Sequence, residues 1–295
     1  MANMVLKGMG IALITPFKED ESVDYESLLK LVEYQIQNGT DYLVVLGTTA
    51  ETATLSEEEQ SEVVRAVVRQ VNGRIPVVQG VSSNCTHTVV EKLKTGDYQG
   101  IDAILSVVPY YNKPSQEGIY RHFKAIAEAT PIPIVVYNVP GRTATNMTAE
   151  TTLRIAREFE HVIAVKEASG NFAQIDTLIK NKPAHFQVIS GDDSITFPLI
   201  TLGAVGVISV IGNALPGVFT RMVNLALEGD YQNARMIHSS LLELYELLFV
   251  DGSPAGVKSL LHLMGMIENK LRLPLVPARP QTCEKIREAW QKLNK

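Results

Sequence analysis

Cysteines, long apolar runs and leader-like segments are scarce or missing in this sequence, and each absence excludes a class of protein. Cys85 and Cys283 are the only cysteines, and they match no CxxC or metal spacing, so we expect two reduced, structural thiols. No uncharged apolar run approaches the roughly 20 residues of a membrane span. The N-terminal apolar stretch is short, runs into Pro16 and lacks the cleavage site of a signal peptide. A cytoplasmic location is therefore expected.

Basic clusters and paired histidines are also missing. The chain has 27 Lys and Arg against 32 Asp and Glu, with a net charge of -5 and no Lys/Arg cluster, so no nucleic-acid partner is expected. The six histidines are scattered without an HxxxH pair, so no metal site is expected. What is present is ordinary for a globular protein. Of 295 residues, 45% are apolar, enough to bury a large core.

Eight short apolar runs alternate with amphipathic stretches, and most are continuous Val/Ile/Leu segments, as in parallel strands covered on both faces. The runs cover residues 10–17, 42–47, 75–81, 103–108, 134–139, 162–166, 186–190 and 205–211. Asp24 is a predicted helix N-cap, and Ser56 with Glu59 predicts a capping box. Eight such units predict a closed (β/α)₈ barrel; an open doubly wound sheet is disfavoured because no GxGxxG follows the first run.

No strand pattern remains after Pro216. Residues 224–227 are predicted to lie in the last helix of the barrel, which we place at residues 1–228. Residues 229–295 are predicted to form a C-terminal helical region, with helices over 231–249, 254–266 and 283–293.

Catalytic groups of such barrels lie at the C-terminal ends of the strands, so polar residues there are the candidates. Lys166 ends the sixth run. A desolvated lysine is a neutral amine and a nucleophile towards carbonyls, although a lysine at a strand end can also extend to solvent. Glu167 points to the opposite face of the strand, where we expect a structural role, with a helix residue as its partner.

Tyr137 lies in an otherwise aliphatic run and could serve as an acid or base. Arg142 follows a Pro-Gly turn, where it could hold a carboxylate bidentately or simply be solvated. Gly191 would let the backbone approach a ligand closely. Asp192 and Asp193 are predicted to cap a helix N-terminus rather than to form an acid pair.

Two further strand ends are ambiguous from the residues alone. Gly47-Thr48-Thr49 could present N–H groups and hydroxyls to an anion, but it could equally be a turn of small residues. Tyr110 and Tyr111 could be functional, or could close the barrel with aromatic bulk.

The strings GTTAETATL, PYYNKPSQEG, YNVPGRT, VKEASGN, SGDD and GVISV follow one another in this order at strand ends. Together they resemble the dihydrodipicolinate synthases, a family of the class I aldolase-like superfamily that includes N-acetylneuraminate lyase. The resemblance covers the whole chain. It implies a lyase that condenses pyruvate with L-aspartate 4-semialdehyde to 4-hydroxy-tetrahydrodipicolinate, in the diaminopimelate route to lysine.

By this resemblance, Lys166 forms an imine with pyruvate and no other cofactor is needed. Tyr137 is the acid/base, and Thr48 and Tyr111 relay protons to solvent. In the family the tyrosine at the Tyr111 position comes from the neighbouring subunit of a tight dimer within a homotetramer. The implied substrate-binding residues are Thr49 for the pyruvate carboxylate, Arg142 for the semialdehyde carboxylate, and the backbones of Gly191 and Ile208.

The resemblance also implies an L-lysine effector cleft at the tight-dimer interface, formed by Thr52, Ala53, Glu57, Gln60, Asn84, Thr88 and Tyr110. Thr88 stands where lysine-sensitive relatives carry Glu, and Glu57 and Gln60 stand where enteric-type enzymes carry two His. We therefore expect weak or no inhibition by L-lysine.

Two strings depart from the family pattern. GTTGES reads GTTAET here, and Ala50 could alter the adjoining loop. NPIPVK reads SPAGVK at residues 253–258, which lie in the helical region, where we expect little effect on the chemistry.

Two alternatives remain. A sibling lyase or aldolase would use Lys166 and Tyr137 on another aldehyde or sugar acid; Arg142, the two threonines and Tyr111 disfavour it. A non-catalytic ligand-binding barrel should have lost the lysine or its relay.

Overall fold

A computed structural model describes residues 5–293. They contain a closed barrel of eight parallel strands in sequence order, followed by a C-terminal helical region. The strands are β1 (Gly8–Ala12), β2 (Tyr42–Val45), β3 (Val77–Gly80), β4 (Ala103–Val107), β5 (Ile134–Asn138), β6 (Val162–Glu167), β7 (Gln187–Ser190) and β8 (Gly206–Ser209). The barrel closes where β1 pairs with both β2 and β8. The predicted fold class is confirmed.

Twelve helices are found in the described residues. Nine follow the strands: α1 (Tyr25–Gln37), α2 (Glu57–Val71), α3 (Thr86–Thr95), α4 (Gln116–Ala129), α5 (Pro140–Thr143), α6 (Ala149–Glu158), α7 (Phe172–Asn181), α8 (Asp193–Leu202) and α9 (Pro216–Glu228). Three form the C-terminal region: α10 (Tyr231–Leu247), α11 (Ala255–Leu263) and α12 (Pro280–Leu293). None of the helices described combines the length and hydrophobicity that a membrane span requires.

Local sequence signals explain the helix starts. The Asp24 side chain accepts a hydrogen bond from Ser27 N and caps α1, as predicted. Ser56 and Glu59 form the predicted capping box at the start of α2. Each satisfies backbone N–H groups that have no partner within the helix. The short helix α5 was not predicted.

The first strand is shifted from its predicted position. It was expected over residues 10–17 but covers Gly8–Ala12. At the end of β1, the Asn213 side chain replaces a neighbouring strand as hydrogen-bond partner. It donates to Ala12 O at 2.9 Å and accepts from Ile14 N at 3.1 Å. The remaining residues of this run, 13–17, are buried but lie beyond the end of β1.

The bottom of the barrel is filled by one aromatic side chain. Tyr42 is almost completely buried, and its hydroxyl donates to Val207 O at 3.1 Å. A Cβ at Gly10 would lie 2.1 Å from the Tyr42 ring, so glycine is required there. The barrel is therefore closed below, and a site can only form at the C-terminal ends of its strands.

The C-terminal region packs on the barrel through α10. Leu241 and Leu244 of α10 are buried in the same core as Met222 of α9, and the Tyr245 ring meets Phe219 edge-on at 6.0 Å. The predicted boundary after residue 228 falls between α9 and α10, and the predicted outer limits, residues 1 and 295, lie outside the described residues.

Candidate active site

Lys166 and Tyr137 are brought together at the top of the barrel. They occupy paired positions on the adjacent strands β6 and β5. Both are 6% exposed, and the Lys166 ammonium nitrogen lies 4.2 Å from the centre of the Tyr137 ring. The amine and the phenol thus share one environment that solvent scarcely reaches.

Burial sets the protonation of this pair. It lowers the pKa of Lys166 from 10.5 to about 7; Asp193 opposes the shift and Arg142 adds to it. An amine with this pKa is about half neutral at pH 7, whereas an ordinary lysine is almost wholly charged. Burial also raises the pKa of Tyr137 to about 12, with Arg142 lowering it and Asp192 raising it. Lys166 can therefore act as a nucleophile while Tyr137 keeps its proton.

Gly191 lies directly against the lysine. A Cβ built on it would be 3.0 Å from Lys166 Cε and 2.8 Å from the Cβ of Ala168. These distances are shorter than ordinary carbon–carbon contacts of about 3.5–4.0 Å. The missing side chain leaves room for the lysine, and Gly191 also lines the site cavity.

A cavity of about 400 Å³ surrounds the amine. Thr48, Thr49 and Arg142 line it together with Lys166 and Tyr137. Thr49 is buried, whereas Thr48 and Arg142 are exposed at the mouth. The cavity therefore places hydroxyls and one guanidinium around an amine that is partly neutral at pH 7. Such groups can hold a carboxylate beside an amine that can attack a carbonyl.

Two predicted site residues lie outside this lining. Ile208 is 1% exposed in the barrel core, and Val210 lines the cavity instead. Tyr111 is 88% exposed with a left-handed φ of 73°, and it is not among the described residues that line the cavity.

The prediction for the two aspartates was half right. The Asp192 side chain caps α8 by accepting from Ser194 N at 2.9 Å. Asp193 does not cap the helix. Its Oδ2 accepts from the backbone N–H groups of Val210 and Ile211 at 3.0 and 2.7 Å, because the buried carboxylate faces the turn after β8.

Glu167 has the expected structural role. It is fully buried and accepts hydrogen bonds from Asn138 Nδ2, from Ser169 N and from Nε2 of Gln174, a residue of α7. The carboxylate fixes the backbone immediately after Lys166.

A second cavity, of about 910 Å³, begins at Thr48 and Arg142 and extends along the outside of the barrel. Five of the seven predicted effector-cleft residues line it: Thr52, Ala53, Glu57, Gln60 and Tyr110. Asn84 joins this group by donating to Tyr110 O at 3.4 Å. Thr88 lies in the first turn of α3, hydrogen-bonded to Cys85.

Comparison with known proteins decides the family. The model of the dihydrodipicolinate synthetase family matches residues 5–293. The chain belongs to this family. It is 74% identical to a 4-hydroxy-tetrahydrodipicolinate synthase from Parabacteroides distasonis over 294 residues, covering 100% of this chain and 99% of that protein.

Solved structures of dihydrodipicolinate synthases also match nearly the whole chain. A chloride-inhibited enzyme from Acinetobacter baumannii, complexed with pyruvate, superposes with a TM-score of 0.95 at 40% identity, covering 98% of this chain and 99% of that one. An enzyme from Cyanidioschyzon merolae with lysine bound superposes with a TM-score of 0.94 at 39% identity, covering 98% of each chain.

Sequence reasoning missed one wall of the site. Leu242, Tyr245, Glu246 and Phe249, all on α10 or just beyond it, line the cavity around Lys166. Their spacing along α10 is that of an ordinary amphipathic helix, so nothing in the sequence separates them from surface and core positions.

The SPAGVK segment, expected to have little effect on the chemistry, contributes one residue to the larger cavity. Ser253 lines the larger cavity together with Thr48 and Arg142, and its buried hydroxyl has no hydrogen-bond partner. Lys258 is fully buried against Glu51, three residues after Thr48. A lone lysine in the apolar helix α11 was the signal that could have identified this position.

Metal-binding groups are not clustered. Within residues 5–293, no three His, Cys, Asp or Glu side chains are arranged to hold an ion.

Proposed function

We propose that this protein condenses pyruvate with L-aspartate 4-semialdehyde to 4-hydroxy-tetrahydrodipicolinate, through an imine between pyruvate and Lys166. The observation that carries the proposal is the buried amine of Lys166, with its pKa lowered to about 7, beside Tyr137 in a cavity that Arg142 also lines. The names of the relatives, and the pyruvate in the complex of one of them, agree with it.

The chemistry needs no redox partner or metal. The Lys166 amine adds to the ketone carbon of pyruvate, and water leaves to give the iminium. Loss of a methyl proton forms the enamine, whose carbon attacks the aldehyde, and the resulting alkoxide takes a proton. The amino group that the semialdehyde brought into the bound adduct then attacks the iminium carbon, which closes the ring as the C=N bond to the ring nitrogen forms and the Lys166 amine leaves.

Each remaining residue is assigned a role in these steps. Tyr137 moves protons at the imine, since its phenol stays protonated and touches the lysine. Thr48 and Tyr111 connect Tyr137 to solvent. Thr49 holds the pyruvate carboxylate and Arg142 that of the semialdehyde, with Gly191 and Ile208 beside them.

The test is reductive trapping together with turnover. Pyruvate and cyanoborohydride should label the wild-type chain on the peptide that contains Lys166, and a coupled assay should detect product from pyruvate and semialdehyde but not cleavage of N-acetylneuraminate. Lys166→Ala should abolish labelling and turnover, whereas Lys180→Ala, an exposed lysine on α7, should change neither. Near-wild-type turnover by Lys166→Ala would refute the proposal.

Arg142→Ala separates the two substrates. It should still be trapped by pyruvate but should use the semialdehyde poorly, because the lost guanidinium contacts only the second substrate. Failed trapping with normal semialdehyde binding would reverse the assignment. Preference for N-acetylneuraminate would instead favour the sibling lyase.

We further propose that the active unit is a tight dimer within a homotetramer. Tyr111 is the supporting observation: a large side chain, 88% exposed in the single chain, in a loop next to the site. A relative has been described as a monomeric variant, so the assembly must be measured directly. Light scattering at assay concentrations would do so.

A further inference from the structure

The turn that carries Thr48 and Thr49 ends in an unfavourable backbone conformation. Thr48–Ala50 form a single 3₁₀ turn, and Glu51 closes it with φ 54° and ψ 34°. This left-handed region is disfavoured for a residue with a Cβ, so it persists only where the surroundings hold it. Thr15 Oγ1 donates to Ala50 O at 2.8 Å, and the Glu51 side chain adds contacts that reach the C-terminal region.

Both carboxylate oxygens of Glu51 are held by the C-terminal region. Oε1 accepts from Lys258 Nζ at 2.5 Å, and Oε2 accepts from Arg272 N at 3.1 Å. Neither the Glu51 nor the Lys258 side chain is exposed. Lys258 Nζ also donates to Lys270 O at 3.0 Å and lies 4.2 Å from the centre of the Phe17 ring. The ion pair thus joins α11 to the turn.

Stability alone does not account for this pair. A fully buried ion pair loses solvation that its attraction often fails to repay, and apolar replacements are often neutral or stabilising. The charge balance of Lys258 agrees: burial lowers its pKa to about 8, although Glu51 opposes the shift. The pair also has a direct geometric consequence, because it ties α11 to the turn.

We propose that Glu51 and Lys258 are positioning residues, which fix the Thr48–Ala50 turn so that its hydroxyls and N–H groups meet the keto-acid carboxylate. The C-terminal region then takes part in catalysis without touching substrate. This inference rests on the proposed function, because the turn matters only if a keto acid binds at Lys166.

The test compares two single variants with the double variant that removes both charges. Glu51→Gln keeps an oxygen that can accept from Arg272 N, and Lys258→Met keeps the bulk of the lysine chain. Lys258→Met alone leaves a buried carboxylate unpaired and should lower the melting temperature, whereas Glu51→Gln/Lys258→Met should recover it.

The double variant should fold but bind pyruvate poorly. Misplacing a binding group by about 1 Å can cost on the order of 100-fold in rate, so we expect kcat/KM for pyruvate to fall by about that factor. The KM for the semialdehyde should stay unchanged, because Arg142 lies on a different loop. A purely structural tie would not separate the two substrates in this way.

Glu59→Gln is the matched control. Glu59 binds the Arg272 guanidinium and so also links the C-terminal region to the barrel, but it is partly exposed and does not contact the turn. This variant should keep wild-type constants for both substrates.

The outcomes are distinct. A folded double variant with wild-type kcat and pyruvate KM would overturn the positioning role and leave the proposed function intact. Failure of the wild-type chain to be trapped by pyruvate would overturn both. If the double variant does not fold, Glu51→Gln decides: an increased pyruvate KM with an unchanged semialdehyde KM supports the inference, and unchanged constants refute it.

Discussion

Replacing Gly191 by alanine tests how closely the site is built around the lysine. The added Cβ would lie 3.0 Å from Lys166 Cε, 3.1 Å from Lys166 Cγ and 2.8 Å from the Cβ of Ala168. Gly191 does not have a positive φ, so alanine adds contact without backbone strain. The contact can be relieved only if the Lys166 side chain, the backbone at Ala168 or the backbone at residue 191 moves.

The size of the effect follows from these distances. Restoring contacts of about 3.5–4.0 Å requires shifts of roughly 0.5–1 Å. A shift of that size at a reacting group should cost about 10- to 100-fold in the rate of imine formation. Overpacking a tight site should also destabilise the fold by about 1–3 kcal/mol, which a thermal melt can detect.

The assay is the initial rate of pyruvate trapping by cyanoborohydride, with Gly141→Ala as the control. Gly141 lies in α5 next to Arg142, but a Cβ there meets nothing within 4 Å. The control should therefore stay within about a factor of two of wild type, as expected for a substitution that creates no contact. Wild-type trapping by Gly191→Ala would refute the contact argument.

Three further predictions follow from the same geometry. The rate of trapping at fixed pyruvate should rise with pH through about 7 and level off above it, because the pKa of Lys166 is lowered to about 7; a rate that keeps rising to pH 10 would indicate an ordinary lysine. Mixed dimers of inactive Tyr111→Phe and Lys166→Ala subunits should recover activity, because one site can be wholly wild type; no recovery in proven mixed dimers would count against a shared site. L-lysine should inhibit weakly or not at all, because two polar groups of the cleft are already engaged: the Gln60 amide donates to Thr52 O and Leu55 O, and Lys92 lies 3.9 Å from the Glu57 carboxylate. Inhibition by sub-millimolar L-lysine in an activity titration would contradict this prediction.

Most of the barrel could be predicted because parallel strands carry a direct signal. A strand covered on both faces must be apolar at every position, so all eight runs were visible without other information. The bounds of the first strand were misjudged at both ends. Residues 13–17 continue the run and are buried, but they lie beyond the end of β1, and composition does not distinguish a buried strand from a buried non-strand segment.

The candidate site could be located from the sequence where a polar residue interrupts an apolar strand. Lys166 and Tyr137 stand out because neither suits the run that contains it. The residues of α10 that line the cavity gave no such signal, since a mixture of apolar and polar residues at helical spacing is normal for a surface helix. Its position over the cavity depends on how α10 packs against α9, which is a long-range property that local patterns do not encode.

Two buried lysines show where sequence reasoning stops. Lys166 and Lys258 each interrupt an apolar element, and burial lowers the pKa of both. Lys258 lies 2.5 Å from a carboxylate oxygen of Glu51 and makes a second bond to a carbonyl, so its charge is matched and its amine is occupied. Within the described residues Lys166 forms no ion pair, and its amine faces a tyrosine ring and a cavity. The same residue type thus presents its amine to a cavity in one place and is held as a fixed cation in the other. A partner 207 positions away decides which, and only the folded chain brings that partner into place.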